Sequence, residues 1–106
     1  MPRILQRDLC QRWFHSFEED TEDGRVYRPA SFKFPRSRGR TGFELKADGT
    51  CVYIAIGRGD VPKEVPGNWS LEEKARPILH LRLSSGEIFT ILVISVRRDR
   101  LVMQRD

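Results

Sequence analysis

Leu5, Leu9, Trp13 and Phe17 recur every four residues with charged residues between them, the spacing of one face of a helix. Trp13, His15 and Phe17 also alternate, which is the period of a strand. The pattern therefore predicts a short N-terminal helix over residues 3–10 that stops near Arg12, and a strand that takes over at Trp13. An acidic run, residues 18–24, follows and reads as a turn in which Asp23-Gly24 supplies a positive φ. A short strand over residues 25–28 ends at Pro29.

Farther on, Phe43, Leu45 and Ala47 alternate with Glu44 and Lys46, the mark of a strand with one wet face, and "ADGT" is a hairpin turn. Residues 51–56 are apolar on both faces, as in a strand covered on each side or placed at a crowded closure point. The Gly and Pro density of residues 57–66 predicts a loop. Strands are then expected over residues 68–73, 78–83, 87–96 and 101–105, with turns at "SSGE" and "RRDR".

About eight short strands and no second helix point to an all-β, antiparallel, up-and-down meander. Such a series manages its edges best by closing into a compact barrel, with a two-sheet sandwich as the alternative. An eight-stranded barrel can be filled by side chains or can hold one small ligand. Trp13, Phe17, Phe43, Tyr53, Trp69 and Phe89 are large enough to fill it, so a plugged interior is the first expectation and a small apolar pocket the second.

The 106 residues make one domain. A charged fraction of 32% and a net charge of +4 suit a soluble chain with a mild preference for anionic partners. Cys10 and Cys51 match no metal spacing and read as free thiols of a reducing compartment. No apolar run is long enough for a signal-peptide core or a membrane span, so a cytoplasmic location and no membrane partner are expected.

Candidate chemistry is sparse. Arg36, Arg38 and Arg40 stand beside Phe32, Phe34 and Tyr27, and a second basic group, Arg97, Arg98 and Arg100, lies at the last turn. Arginine forks hold phosphates while aromatic rings stack on bases, so residues 36–40 could serve a nucleic-acid-binding module, although a solvated loop whose charge aids solubility is the leading reading. Within the acidic run, Glu18 and Asp20 would share a face if the segment were a strand. His15 and His80 have no third residue placed by spacing to orient them and read as structural. Arg58-Gly59-Asp60 reads as a loop turn. Phosphate loops, dinucleotide fingerprints and metal signatures are missing, so neither an enzyme nor a cofactor is expected.

Trp13 at the first strand, "VYRP" at 26–29, "GFELKADGT" at 42–50, "GNW" at 67–69 and the terminal "DRLVMQ" together resemble the small bacterial lipocalin-like domains of the calycin group. In lipocalins the G-x-W sequence opens the first strand, whereas here Gly67-Asn68-Trp69 lies past the middle and Trp13 follows Gln11-Arg12. The resemblance implies a lipocalin-like barrel acting as a non-enzymatic binding domain. Its ligand would be a small apolar or anionic-headed molecule, or a protein partner. On this reading Trp13, Phe43, Tyr53, Trp69 and Phe89 exclude water, and Arg38 or Arg40 fixes a head group by charge-assisted hydrogen bonds. Trp69 has a second reading as a core anchor that holds its strand in register. The chain would act as a monomer, or as a homodimer that pairs the acidic run with the arginine loop.

Overall fold

A computed structural model describes residues 6–36, 39–73 and 75–104. Helix α1 (Gln6–Leu9) leads into eight strands: β1 (Arg12–His15), β2 (Gly24–Pro29), β3 (Gly42–Leu45), β4 (Thr50–Ile56), β5 (Pro62–Glu72), β6 (Ile78–Leu83), β7 (Ile88–Arg97) and β8 (Arg100–Gln104). All neighbours are antiparallel, and they close in the order β1-β2-β8-β7-β6-β5-β4-β3. The expected antiparallel barrel is therefore present. The described part of the helix is one turn, and residues 3–5 lie outside the described residues.

One feature of the order departs from a plain meander. β1 lies between β2 and β3 and is antiparallel to both, so β2 and β3 run in the same direction. The connection 30–41 must travel back along β1, and it starts and stops accordingly: Ala30 N–H donates to Arg12 O, and His15 N–H donates to Thr41 O. Its described residues, 30–36 and 39–41, cross outside the barrel as a strap. Phe14, which points outward because its neighbour Trp13 points inward, meets Phe34 edge-on at 6.3 Å, and Phe34 meets Phe32 at 5.0 Å. Ile54, outward on β4, is only 2% exposed, and Gly39 of the strap sits over Ile56. This cover explains why β4 is apolar on both faces. Gly42 is required at the closure, since a Cβ there would lie 2.1 Å from Trp13 O.

Two arginine–glutamate forks lock the strap to the acidic connection. Arg40 donates to both oxygens of Glu18 at 2.7 and 2.6 Å and also to His15 O and Pro35 O. Its guanidinium lies 4.7 Å from the ring centres of both Phe17 and Phe34. Arg28 donates to both oxygens of Glu19 at 2.9 and 2.7 Å and covers Phe32. Asp20 receives Val26 N–H at 2.9 Å, replacing a ladder partner where β1 has ended, and also holds His15 Nε2.

Three local expectations are corrected. The segment after β1 contains a 3-10 turn, Phe17–Glu19, so Glu18 and Asp20 do not share a strand face, and Phe17 is 45% exposed instead of filling the interior. Gly24 is the first residue of β2 and has no positive φ. Its missing side chain leaves room for Val102, whose Cγ1 would lie 2.7 Å from a Cβ at that position. Finally, β5 begins at Pro62, inside the expected loop. Residues 62–66 pair with β4 while β6 pairs only from Gly67 onward, so Pro62 lies on a locally free edge where a missing N–H costs nothing, and Pro66 sits at the end of the pairing, its carbonyl accepting from Ser84 N–H at 2.8 Å. The hairpin turns at Gly49 and Gly86 take the expected positive φ, 90° and 96°.

The core fills one end. Leu9, Trp13, Leu45, Cys51, Leu79, Leu81 and Leu101 are each at most 1% exposed. Trp13 Nε1 donates to Leu9 O at 3.0 Å, which ties α1 across the end that carries the β3–β4 and β7–β8 turns. Trp69 is 9% exposed and donates from Nε1 to Lys46 O at 2.8 Å, pinning β5 to the β3–β4 turn as a core anchor does.

Arg40→Ala removes a fork and leaves Glu18 uncompensated, and it is expected to lower stability in urea unfolding by about 1.5–3 kcal/mol. A solvated loop arginine would give no change. The Arg28 fork, helped by Ser16, holds the Glu19 carboxyl at about 2, against 4.5 for the unperturbed group. A depressed folded pKa stabilises above the unfolded value and is lost as pH falls through the folded one. Stability should thus decline from pH 4.5 down through about 2 by a Glu19-dependent part. That part is about 1–2 kcal/mol after solvent screening and should vanish in Glu19→Gln.

Candidate functional site

The other end of the barrel is not filled. β7 runs on past β8: Val93 pairs with Met103, and among the described residues 88–92 have no partner on that side. A cavity of about 390 Å³ opens there, lined by residues that include Arg25, Tyr27, Phe43, Tyr53, Leu81, Phe89, Ile91, Met103 and Gln104. Alternation produces most of this lining. Arg25 and Tyr27 share the inner face of β2, Phe43 and Tyr53 are register partners on β3 and β4, and Leu81 and Phe89 are partners on β6 and β7.

Aromatic packing makes the walls. Tyr53 and Phe89 reach across the interior and stack at 5.2 Å with 26° between their planes. Tyr27 lies 5.2 Å from Phe43 and stacks on His15 at 5.0 Å, and Asp20 fixes that imidazole through Nε2 at 2.9 Å. Tyr27 is thus held between two rings with its position set by the same Asp20 that completes the edge of β2.

Electrostatics at the mouth follow from burial. Burial pushes the Tyr27 phenol up to about 12, opposed in part by the positive charge of Arg25. Burial also raises Tyr53, with the Glu87 carboxylate adding to the shift. Both phenols therefore stay protonated near neutral pH and can donate. Among the described residues no carboxylate forms an ion pair with Arg25, in contrast to Arg12, Arg28 and Arg40. The site joins an apolar aromatic chamber to one cation, two phenol donors and the Gln104 amide.

Of the residues expected from the sequence, Phe43, Tyr53 and Phe89 come together in this lining. Trp13 is fully buried in the closed end. Trp69 faces a shallower depression of about 370 Å³ shared with Asn68, His80 and Arg82. Arg40 is consumed by the strap, with 8% of its side chain exposed, and Arg38 lies outside the described residues. His80 is bonded to Glu72 at 3.0 Å. Arg25 was the residue that sequence reasoning missed. Its signal was weak but present, since period two puts Arg25 and Tyr27 on one face of the same short strand.

The chain has two tyrosines, so an alkaline titration of phenolate absorbance resolves both. Both should ionise above 10, the later near 12, and Tyr27→Phe should remove the later step. The raised phenol pKa means that Tyr27 supports the fold fully below pH 10 and loses that support as pH rises through about 12. Two steps at 10 would refute the burial.

No protein-family model, curated protein or solved structure matches this chain.

Proposed function

We propose that the protein is a non-enzymatic binding domain that sequesters a small, largely apolar molecule in the open end of its barrel. The observation that carries this reading is the aromatic cavity of about 390 Å³, within the range of roughly 300–1,000 Å³ typical of small-molecule sites. Tyr53, Phe89 and Ile91, half-buried apolar residues of the lining, exclude water from the bound body and supply the apolar contact that drives binding. A pocket open at one end and plugged by Trp13 at the other is also what the lipocalin-like resemblance implies. Two unbridged cysteines suit residence in a reducing cytoplasm.

Catalysis is not part of this reading, because the His15–Asp20 pair is spent on holding Tyr27 and the edge of β2. Arg40 and Phe34, the residues a nucleic acid would need, pack against each other and against Glu18.

Native mass spectrometry of gently purified protein, followed by organic extraction, tests the reading directly. The expected result is a mass above that of the bare chain which leaves on denaturation. Ile91→Trp, which places an indole in the cavity, should lack the added mass while melting near the wild-type temperature. A bare mass for both proteins, together with equal failure to bind added anilinonaphthalene sulfonate, would overturn it.

A further inference from the structure

We infer that two copies of this chain associate through the free edge of β7, residues 88–92, pairing antiparallel about a twofold axis at Thr90. The inference is independent of the binding reading above.

Pairing with β6 sets the direction of the backbone groups. Leu83 N–H donates to Glu87 O and Val93 N–H donates to Pro77 O, both at 2.9 Å, so the odd-numbered residues of this stretch turn their N–H and C=O groups towards β6. Ile88, Thr90 and Leu92, opposite Arg82, His80 and Ile78, therefore turn theirs the other way. On that side β8 pairs only from Val93 onward, and among the described residues no backbone group meets them. Ile88 is 63% exposed, and Thr90 is exposed beside it. A row of donors and acceptors alternating along an edge is a site for an extended strand.

The slot selects its strand. It is bounded at one end by the turn at Gly86 and at the other by Met103 of β8, opposite Val93. A second β7 overlaps the whole of 88–92 in one register, with Thr90 opposite Thr90 of the second copy. In that register the outward-turned residues become hydrogen-bonded pairs, Thr90 with Thr90 and Ile88 with Leu92 in both directions, and every free N–H finds a free C=O. Side chains agree with the backbone. Ile88 meets Leu92 of the second copy on the outer face, Phe89 meets Ile91 of the second copy on the inner face beside the cavity's opening, and no charge lies in the stretch.

Contrast within the molecule supports this use of the edge. The free edge of β5, residues 62–66, carries Pro62, Lys63, Glu64 and Pro66, which obstruct pairing between edges. β7 has no such guard: "IFTIL" is β-branched, aromatic and apolar, without proline or charge. A strand of another protein would satisfy the same backbone row, but the register that matches Thr90 to itself favours a second copy.

The test is sedimentation of the full chain from about 10 µM to about 1 mM, with amide hydrogen exchange at both ends of that range. The average mass should rise towards twice that of the chain, and the Ile88, Thr90 and Leu92 amides, fast in dilute protein, should slow as it rises. Thr90→Pro deletes one donor per copy that the barrel itself does not use, so it should keep the wild-type far-UV spectrum and weaken association by at least about fivefold. Thr90→Lys and Thr90→Glu alter only an exposed side chain and decide the matter if the proline variant unfolds. Each should self-associate less than wild type, and the two should associate with one another more tightly than either does with itself, because position 90 opposes itself. A constant monomer mass, a dimer whose three amides stay fast, or equal association in the Lys, Glu and mixed samples would overturn the inference. Slow exchange at Thr90 in dilute monomer would show the slot already covered within one chain and overturn it likewise.

Discussion

The barrel closes through a strand of four residues. β1 is the sole link between β2 and β3, and its backbone pairs on both sides over only Arg12–His15. A ladder so short cannot hold a closed sheet by hydrogen bonds alone, since each contributes about 0.5–1.5 kcal/mol net. Everything unusual about the molecule is arranged around this strand. Trp13 anchors it inward against the core. The strap covers it outward through Phe14 and Phe34. Asp20 takes over the hydrogen bonding of β2 at the point where β1 stops.

Placement of β1 between two parallel strands is what forces the strap, and the strap accounts for the charges. A connection that returns along the outside of a barrel must be held down, and aromatic cover alone leaves its backbone polar groups unmet. Arg40 meets the carbonyls of His15 and Pro35 while gripping Glu18, so one guanidinium joins strand, strap and acidic turn. Buried ion pairs are seldom a net gain when both charges are fully desolvated. Here Glu18 retains 31% of its side-chain exposure, so its desolvation is partial, and the geometric benefit of the fork is kept.

The barrel was legible in the sequence because alternation and turn residues are local signals. Phe43, Leu45 and "ADGT" announce a hairpin whatever surrounds them, and "SSGE" does the same for β6 and β7. The exchange of β1 and β2 was not legible, since it depends on which strand meets β8, a contact between Gly24 and Gln104 across the whole chain. The partners of the acidic run were hidden for the same reason: Glu18 and Arg40 lie 22 residues apart. The start of β5 was obscured by Pro62 and Pro66, which lie before the pairing with β6 begins at Gly67. For the site, aromatic residues at strand positions led to Phe43, Tyr53 and Phe89, but the role of a cation depends on whether a carboxylate has already taken it. That information is three-dimensional, and it separates Arg25 from Arg40.

Energetics bear on the open end of the barrel. A dry void costs roughly 24 cal/mol per Å³, which for a space of about 390 Å³ would approach 9 kcal/mol, much of the 5–15 kcal/mol that stabilises a typical domain. The gap between β7 and β8 removes that penalty by admitting solvent, which meets the half-buried Phe89 and Ile91 while Phe43, Leu81 and Met103 stay at most 3% exposed. On the binding reading proposed above, an apolar body would displace that solvent from Tyr53, Phe89 and Ile91.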